Sequence, residues 1–147
     1  MSLYKNILFA TDLGKDSKHV CEVAKDLERI HGATLNIVHV IEPVGTYGGG
    51  FYYIGELNKQ LEEEALTHLH QFSNTYGIAK KHQHLSTGHA KKSIITMADE
   101  LKSDLIILGS HGAHGIGVLL GSTASYVLSH AHCDVLTVPL KRFKEKK

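Results

Sequence analysis

Cysteine and proline each occur only twice in the 147 residues, and no apolar run approaches the ~20 residues that cross a bilayer. Cys21 and Cys133 lack metal-ligand spacing, and a disulfide framework belongs to secreted chains, so both are expected as buried free thiols. The opening MSLYKNILFATD has an apolar run that Thr11 and Asp12 cut short, so the secretory-leader pattern is missing and a cytoplasmic protein is expected. There is little excess charge, a formal +1, and it is unevenly placed. The ending KRFKEKK carries five basic residues and one acid, which leaves the rest of the chain net acidic. A basic body for nucleic acid is therefore absent, and the tail reads as a solvated terminus rather than an anchor for an anionic partner.

Catalytic signatures are also lacking. No G-x-S-x-G elbow, Cys/His nucleophile arrangement or HExxH occurs, and Ser110-His111 has no assignable third member. The glycine-rich stretch after DLIILG has no lysine, which excludes a P-loop. The Rossmann fingerprint belongs after a first strand, and GIGVLLG spaces its last glycine one residue too far.

What is present is a strict alternation of patterns. Bare apolar runs at 4–11, 33–42 and 104–109 read as strands covered on both faces. Residues 79–86 form a weaker strand candidate, and 133–140 a last strand with Pro139 suited to a sheet edge. Between them lie helical patterns. The first has Asp16 or Ser17 as N-cap, Val20, Val23, Ala24, Leu27 and Ile30 at helical spacing, and Gly32 as its stop. The second spans about 55–76 with a stripe of Leu57, Leu61, Ala65, Leu69 and Phe72. The third covers 89–103 and the fourth 122–131. Such alternation predicts a single-domain α/β three-layer sandwich with a mostly parallel five-stranded sheet. Its ligand site is expected outside the carboxyl ends of the strands, where the strand order reverses.

Two post-strand positions fit that site: Asp12, and the segment LGSHGAHGIGVLLGST. Glycine lets backbone N–H groups approach phosphate oxygens, and a helix N-terminus adds about half a positive charge. The same glycines also suit a flexible turn, with Gly121 admitting close packing. Asp12 suits a nucleoside or Mg2+, or equally the cap of a turn. His111 and His114 either bond phosphate or cover the turn. The stretch VGTYGGGFYYIG, 44–55, is open to three readings: a lid, a partner surface, or a loop anchored by its aromatics. His82 with His84, and His130 with His132 beside Cys133, have spacings that raise a structural zinc, but no carboxylate ligand is fixed near them, and exposed histidines explain the pattern.

YKNILFATDLGKDS, LNIVHVIE and DLIILGSHGAHGIGVLLGSTASYVLSHAHCDVLTVPL resemble, in order, the signature segments of the universal stress protein A family, and the resemblance covers essentially the whole chain. It implies an adenine nucleotide alpha hydrolase-like fold with strand order 3-2-1-4-5. It also implies a family domain over 1–141 with a basic tail at 142–147, and a homodimer through the last strand. In its ATP-binding branch the family carries G-x2-G-x9-G-[ST]. Gly109, Gly112, Gly121 and Ser122 match it, with eight residues (113–120) in place of nine.

Carried over position by position, the resemblance places Ala10, Thr11 and Asp12 beside the adenosine, Val40 at the adenine edge, and Leu108 against the same pocket. Gly109, Gly112, Gly121, Ser122 and Thr123 would hold ribose and phosphates. The expected ligand is ATP, or AMP or ADP, with or without Mg2+; no metal site of the protein's own, no membrane and no nucleic acid are expected. The function implied is an adenine-nucleotide sensor or switch in the stress response, not a dedicated enzyme, with any slow ATP hydrolysis incidental. A nucleotide-independent dimeric module is the alternative. A small nucleotide-dependent ligase or transferase is the weakest reading, since no HIGH-type motif follows the first strand.

Overall fold

The computed structural model describes residues 2–43, 51–110 and 120–139. Its elements alternate as β1 (Asn6–Ala10), α1 (Ser17–His31), β2 (Thr34–Ile41), α2 (Phe51–Thr75), β3 (Gln83–Thr87), α3 (Ala90–Glu100), β4 (Leu105–Gly109), α4 (Ser122–His130) and β5 (Asp134–Val138). All pairings are parallel, and the strand order is β3-β2-β1-β4-β5. No described helix is long and apolar enough to cross a membrane.

The alternation of side chains along each strand builds two cores from one sheet. Ile7, Phe9, Leu35, Ile37, Leu105 and Ile107 face one side, where Val20, Cys21 and Ala24 of α1 and Leu69 of α2 close over them. Leu8, Ala10, Val38, Ile106 and Leu108 face the other, under Ile94 and Ala98 of α3 and Ala124 and Val127 of α4. Because both faces are covered, β1 and β4 can be apolar at nearly every position. Each fully buried Leu, Ile or Phe contributes about 1.5–3 kcal/mol.

The sheet is pinned at its amino end by Asp104. Its Oδ2 accepts the Lys5 N–H at 2.9 Å and its Oδ1 the Asn6 N–H at 3.0 Å, while its own N–H donates to the Asn6 carbonyl at 2.8 Å. One carboxylate thus satisfies two amides where β1 and β4 begin. Asp104→Ala is expected to cost about 1–2 kcal/mol, since charge-assisted bonds are stronger than neutral ones but these are part-exposed. A urea midpoint unchanged in that variant would show that the carboxylate holds nothing.

Several expected boundaries shift, each for a physical reason. The second helix begins at Phe51, not near 55, so Phe51–Gly55 of the aromatic stretch is helix rather than loop. Gly55 inside it costs only about 1 kcal/mol, which the surrounding helix formers absorb; residues 44–50 lie outside the described residues. β3 is shorter than 79–86, because a 3-10 turn at Lys80–His82 precedes it. Ile30, at helical spacing with the buried positions of α1, is nonetheless 64% exposed: it lies in the last turn, just before the left-handed Gly32 that ends the helix. In the α2 stripe only Leu69 is fully buried, and Leu61 is 37% exposed. β5 ends at Val138, one residue before Pro139. Cys21 is buried, and burial pushes its thiol up to about 12. Cys133 is free but only half-buried, its thiol raised by burial and by nearby Asp134.

Candidate functional site

Strand order reverses between β1 and β4, and a cleft of about 200 Å³ opens there at the carboxyl ends. Its apolar surface comes from Phe9 and Ala10 of β1, Val38 and Val40 of β2, Leu108 of β4 and Ile94 of α3. Its polar rim comes from Thr11, Asp12, Gly109, Ser110 and the start of α4, Gly121–Ala124. All the residues nominated from the sequence line it except Gly112, which lies outside the described residues together with His111 and His114. Phe9, Ser17, Val20, Val38, Ala90, Ile94, Ser110 and Ala124 also line it but were not nominated.

After β1 the chain makes a tight, cross-linked turn. The Thr11 N–H donates to the Val38 carbonyl at 3.0 Å, and the Thr11 carbonyl accepts from His39 Nδ1 at 2.9 Å. That bond requires the proton on Nδ1 of His39. Thr11 Oγ1 accepts the Leu13 N–H at 2.9 Å and donates to Ser17 Oγ at 2.9 Å. Ser17 Oγ in turn donates to Asp12 Oδ1 at 3.0 Å, which also accepts the Gly14 N–H at 2.8 Å. A Cβ on Gly14 would sit 3.0 Å from that same oxygen, so a bare glycine keeps the contact open. Leu13, at φ 61°, is left-handed with its side chain buried, a strain of order 1 kcal/mol that this network holds in place.

The turn reconciles the two readings of Asp12. Oδ1 closes the turn, whereas Oδ2 has no hydrogen bond to any described residue, and the side chain is exposed at the rim. One oxygen is structural; the other is unpaired among the described residues.

The opposite rim is electropositive without a cationic side chain. Gly121 is the N-cap of α4; its N–H donates to the Ser110 carbonyl at 2.7 Å and its carbonyl accepts the Ser125 N–H at 2.9 Å. The N–H groups of Ser122, Thr123 and Ala124 have no partner among the described residues, there is no side-chain cap, and no acid sits in the first turn. These are the orphan donors of a helix start, carrying about half a positive charge directed at the cleft. Residues 109–123 contain no Lys or Arg, and Asp12 is the only ionisable side chain among the described lining residues. An apolar slot beside unpaired amides suits a flat, partly apolar group joined to an anion, and an adenine nucleotide fits both halves.

The histidine pairs do not form ligand sets. His82 lies in the 3-10 turn and not on β3, so it shares no strand face with His84. His84 Nε2 donates to Asn36 Oδ1 at 2.8 Å, and burial, then nearby His82, lowers its pKa. His130 Nδ1 donates to the Tyr126 carbonyl at 2.9 Å, and His132 Nδ1 meets the Asp99 carboxylate at 3.1 Å. No group of three or more His, Cys, Asp or Glu poised for a metal occurs among the described residues.

Known proteins place this architecture. A universal stress protein A homolog of Coxiella burnetii is 41% identical over 142 residues, covering 94% of this chain and 98% of the homolog. The solved universal stress protein of Lactobacillus plantarum superposes with a TM-score of 0.75 at 26% identity, over 94% of this chain and 99% of that one. A universal stress protein solved in complex with cAMP has a TM-score of 0.64 at 23% identity, over 95% and 100% of the two chains. Residues 3–139 match the model of the universal stress protein family, and with these relatives and this sheet order the chain belongs to that family.

Proposed function

We propose that this universal stress protein binds ATP or a close adenine nucleotide in the β1–β4 cleft and acts as a sensor or switch in the stress response, not as a dedicated enzyme. The observation that carries the reading is that Asp12 Oδ2 and the amides of Ser122, Thr123 and Ala124, all without a partner among the described residues, line one cleft. Val38, Val40, Leu108 and Ile94 would take the adenine, with Ala10 and Thr11 beside the nucleoside. Gly109, Gly121, Ser122 and Thr123 would hold ribose and phosphates. Asp12 would help to hold a Mg2+, which would offset phosphate charge that no Lys or Arg side chain of residues 109–123 can offset. The cAMP held by a solved protein of the same fold lends support.

The remaining parts of the reading are a cytoplasmic location and a homodimer through the outer edge of β5, which pairs only with β4 among the described strands. An open edge carrying Val135, Leu136 and Val138 is a ready template for a second copy.

Calorimetric titration with ATP and Mg2+ tests the ligand. Saturable heat is expected, together with a thermal shift that grows with the logarithm of nucleotide concentration above Kd. Absence of both at millimolar nucleotide would favour the nucleotide-independent dimeric module.

A further inference from the structure

The ladder between β1 and β2 stops one rung short of where its register would carry it. Pairing runs as far as Ala10 with Val38, and the Thr11 N–H then donates to the Val38 carbonyl at 3.0 Å. Backbone groups of a strand face its two neighbours alternately, so Val40, two residues beyond Val38, again turns its N–H toward β1. The next rung would be that N–H on the Thr11 carbonyl. It is not made: β1 ends at Ala10, and the Thr11 carbonyl accepts instead from His39 Nδ1 at 2.9 Å.

His39 acts from the far face of the sheet. Side chains alternate along β2, so His39 shares the α1–α2 face with Leu35 and Ile37, whereas Val38 and Val40 belong to the α3–α4 face and line the cleft. His39 is half-buried and is not a lining residue, so it reaches the site only through the peptide that joins Thr11 to Asp12. Beyond that peptide come the Thr11–Ser17–Asp12 hydrogen bonds and the left-handed Leu13. An apolar side chain at position 39 would fill the same space without donating; an imidazole with its proton on Nδ1 takes an acceptor out of the ladder.

We propose that His39 is a positioning residue of the cleft. By occupying the Thr11 carbonyl it withholds that acceptor from the Val40 N–H, which stays open to an acceptor atom on the ligand, and it fixes the peptide from which Asp12 projects. Without the imidazole the freed carbonyl takes the Val40 N–H, and the ladder closes by one rung over the edge that a base would meet. The inference rests on the nucleotide reading given above.

His39→Leu, which removes the donor, and His39→Asn, whose Nδ2 stands near the place of the imidazole Nδ1 and donates, test it against the parent protein. In titrations with ATP and Mg2+, His39→Leu is expected to bind about ten-fold more weakly, the scale of one hydrogen bond, and His39→Asn within about three-fold of the parent. With no nucleotide present, exchange of the Val40 amide is expected to slow about ten-fold in His39→Leu and to keep the parent rate in His39→Asn. A histidine that merely braces the turn predicts the reverse, since losing its bond would loosen the end of β1 and speed exchange there. Melting curves check that the fold is kept. Should His39→Leu not fold, the imidazole 15N spectrum of the parent at about pH 8, above the ordinary histidine range, decides: a protonated Nδ1 and a bare Nε2 are expected, and the opposite tautomer overturns the proposal. A parent protein that gives no binding heat removes the nucleotide reading and this proposal with it. A parent that binds overturns the proposal alone if His39→Leu stays within about two-fold of it, if His39→Asn binds no better than His39→Leu, or if Val40 exchange in His39→Leu is unchanged or faster.

Discussion

Replacing Gly121 with valine is expected to weaken adenine-nucleotide binding on the order of 100-fold or more, about 2.7 kcal/mol, while the fold survives. The reason lies in the backbone at that position. Gly121 sits at φ −64°, ψ 159°, an extended conformation that any residue adopts, so no dihedral requirement explains a glycine there. Its own N–H and carbonyl are already bonded, to the Ser110 carbonyl and the Ser125 N–H, and a side chain need not break either bond. What glycine supplies is the missing Cβ at a residue that lines the cleft beside three amides unpaired among the described residues. A branched side chain there competes with an anion for the space in front of those donors. Valine is also a poorer N-cap than glycine by about 1 kcal/mol, so a fall in Tm of about 2–4 °C is expected and no more. Calorimetry and a melting curve on the same sample separate the two effects. Affinity within a few-fold of the parent protein, at a Tm lowered only that far, would remove the start of α4 from the ligand site.

The parts of this site that could be read from the sequence are those that directly follow strands. NILFA and LIILG are bare apolar runs because both faces of β1 and β4 are covered, and whatever leaves their ends, Asp12 or Gly109, was marked by that position alone. Ser17, Ala90 and Ile94 were not visible in the same way. They belong to the starts of α1 and α3, and only the sheet order brings both helices to the mouth between β1 and β4. That order came from the family resemblance; no spacing in the chain encodes it. Ile30, Leu57 and Leu61 show the limit of periodicity: a 3.6-residue repeat says which side of a helix is apolar, not where the sheet beneath it stops. β3 reads weakly because two of its residues make polar bonds. Gln83 bonds His70, Asn74 and the Ile78 carbonyl, and His84 bonds Asn36, so the strand lacks the apolar signature of its neighbours.

Phe9→Ala is expected to produce the largest loss of stability of any single truncation considered, about 3–5 kcal/mol, or a fall in Tm of about 10 °C. Phe9 lies in the central strand with 1% of its surface exposed, between Ile37 of β2 and Ile107 of β4 in register. Neither neighbouring strand can move in to fill the space without breaking its own ladder, so the full cavity term adds to the lost transfer free energy. The ring also starts the aromatic chain Phe9–Phe72–Tyr76 that ties α2 to the sheet. Among its described side chains α2 has no buried residue from Gly55 to His68, so among them its attachment rests on Leu69, Ser73 and this chain. The loss should therefore be uneven: amide exchange should accelerate most in the last turns of α2 and least in β4, which keeps β5 on its far side. Phe9→Leu, which retains most of the volume, should cost no more than about 1.5 kcal/mol. Against a typical net stability of about 5–15 kcal/mol, the alanine variant should remain folded at 25 °C yet show a clearly lower urea midpoint at unchanged m. A loss below about 1 kcal/mol, or exchange that rises equally in every element, would contradict the packing of α2 on β1 described above.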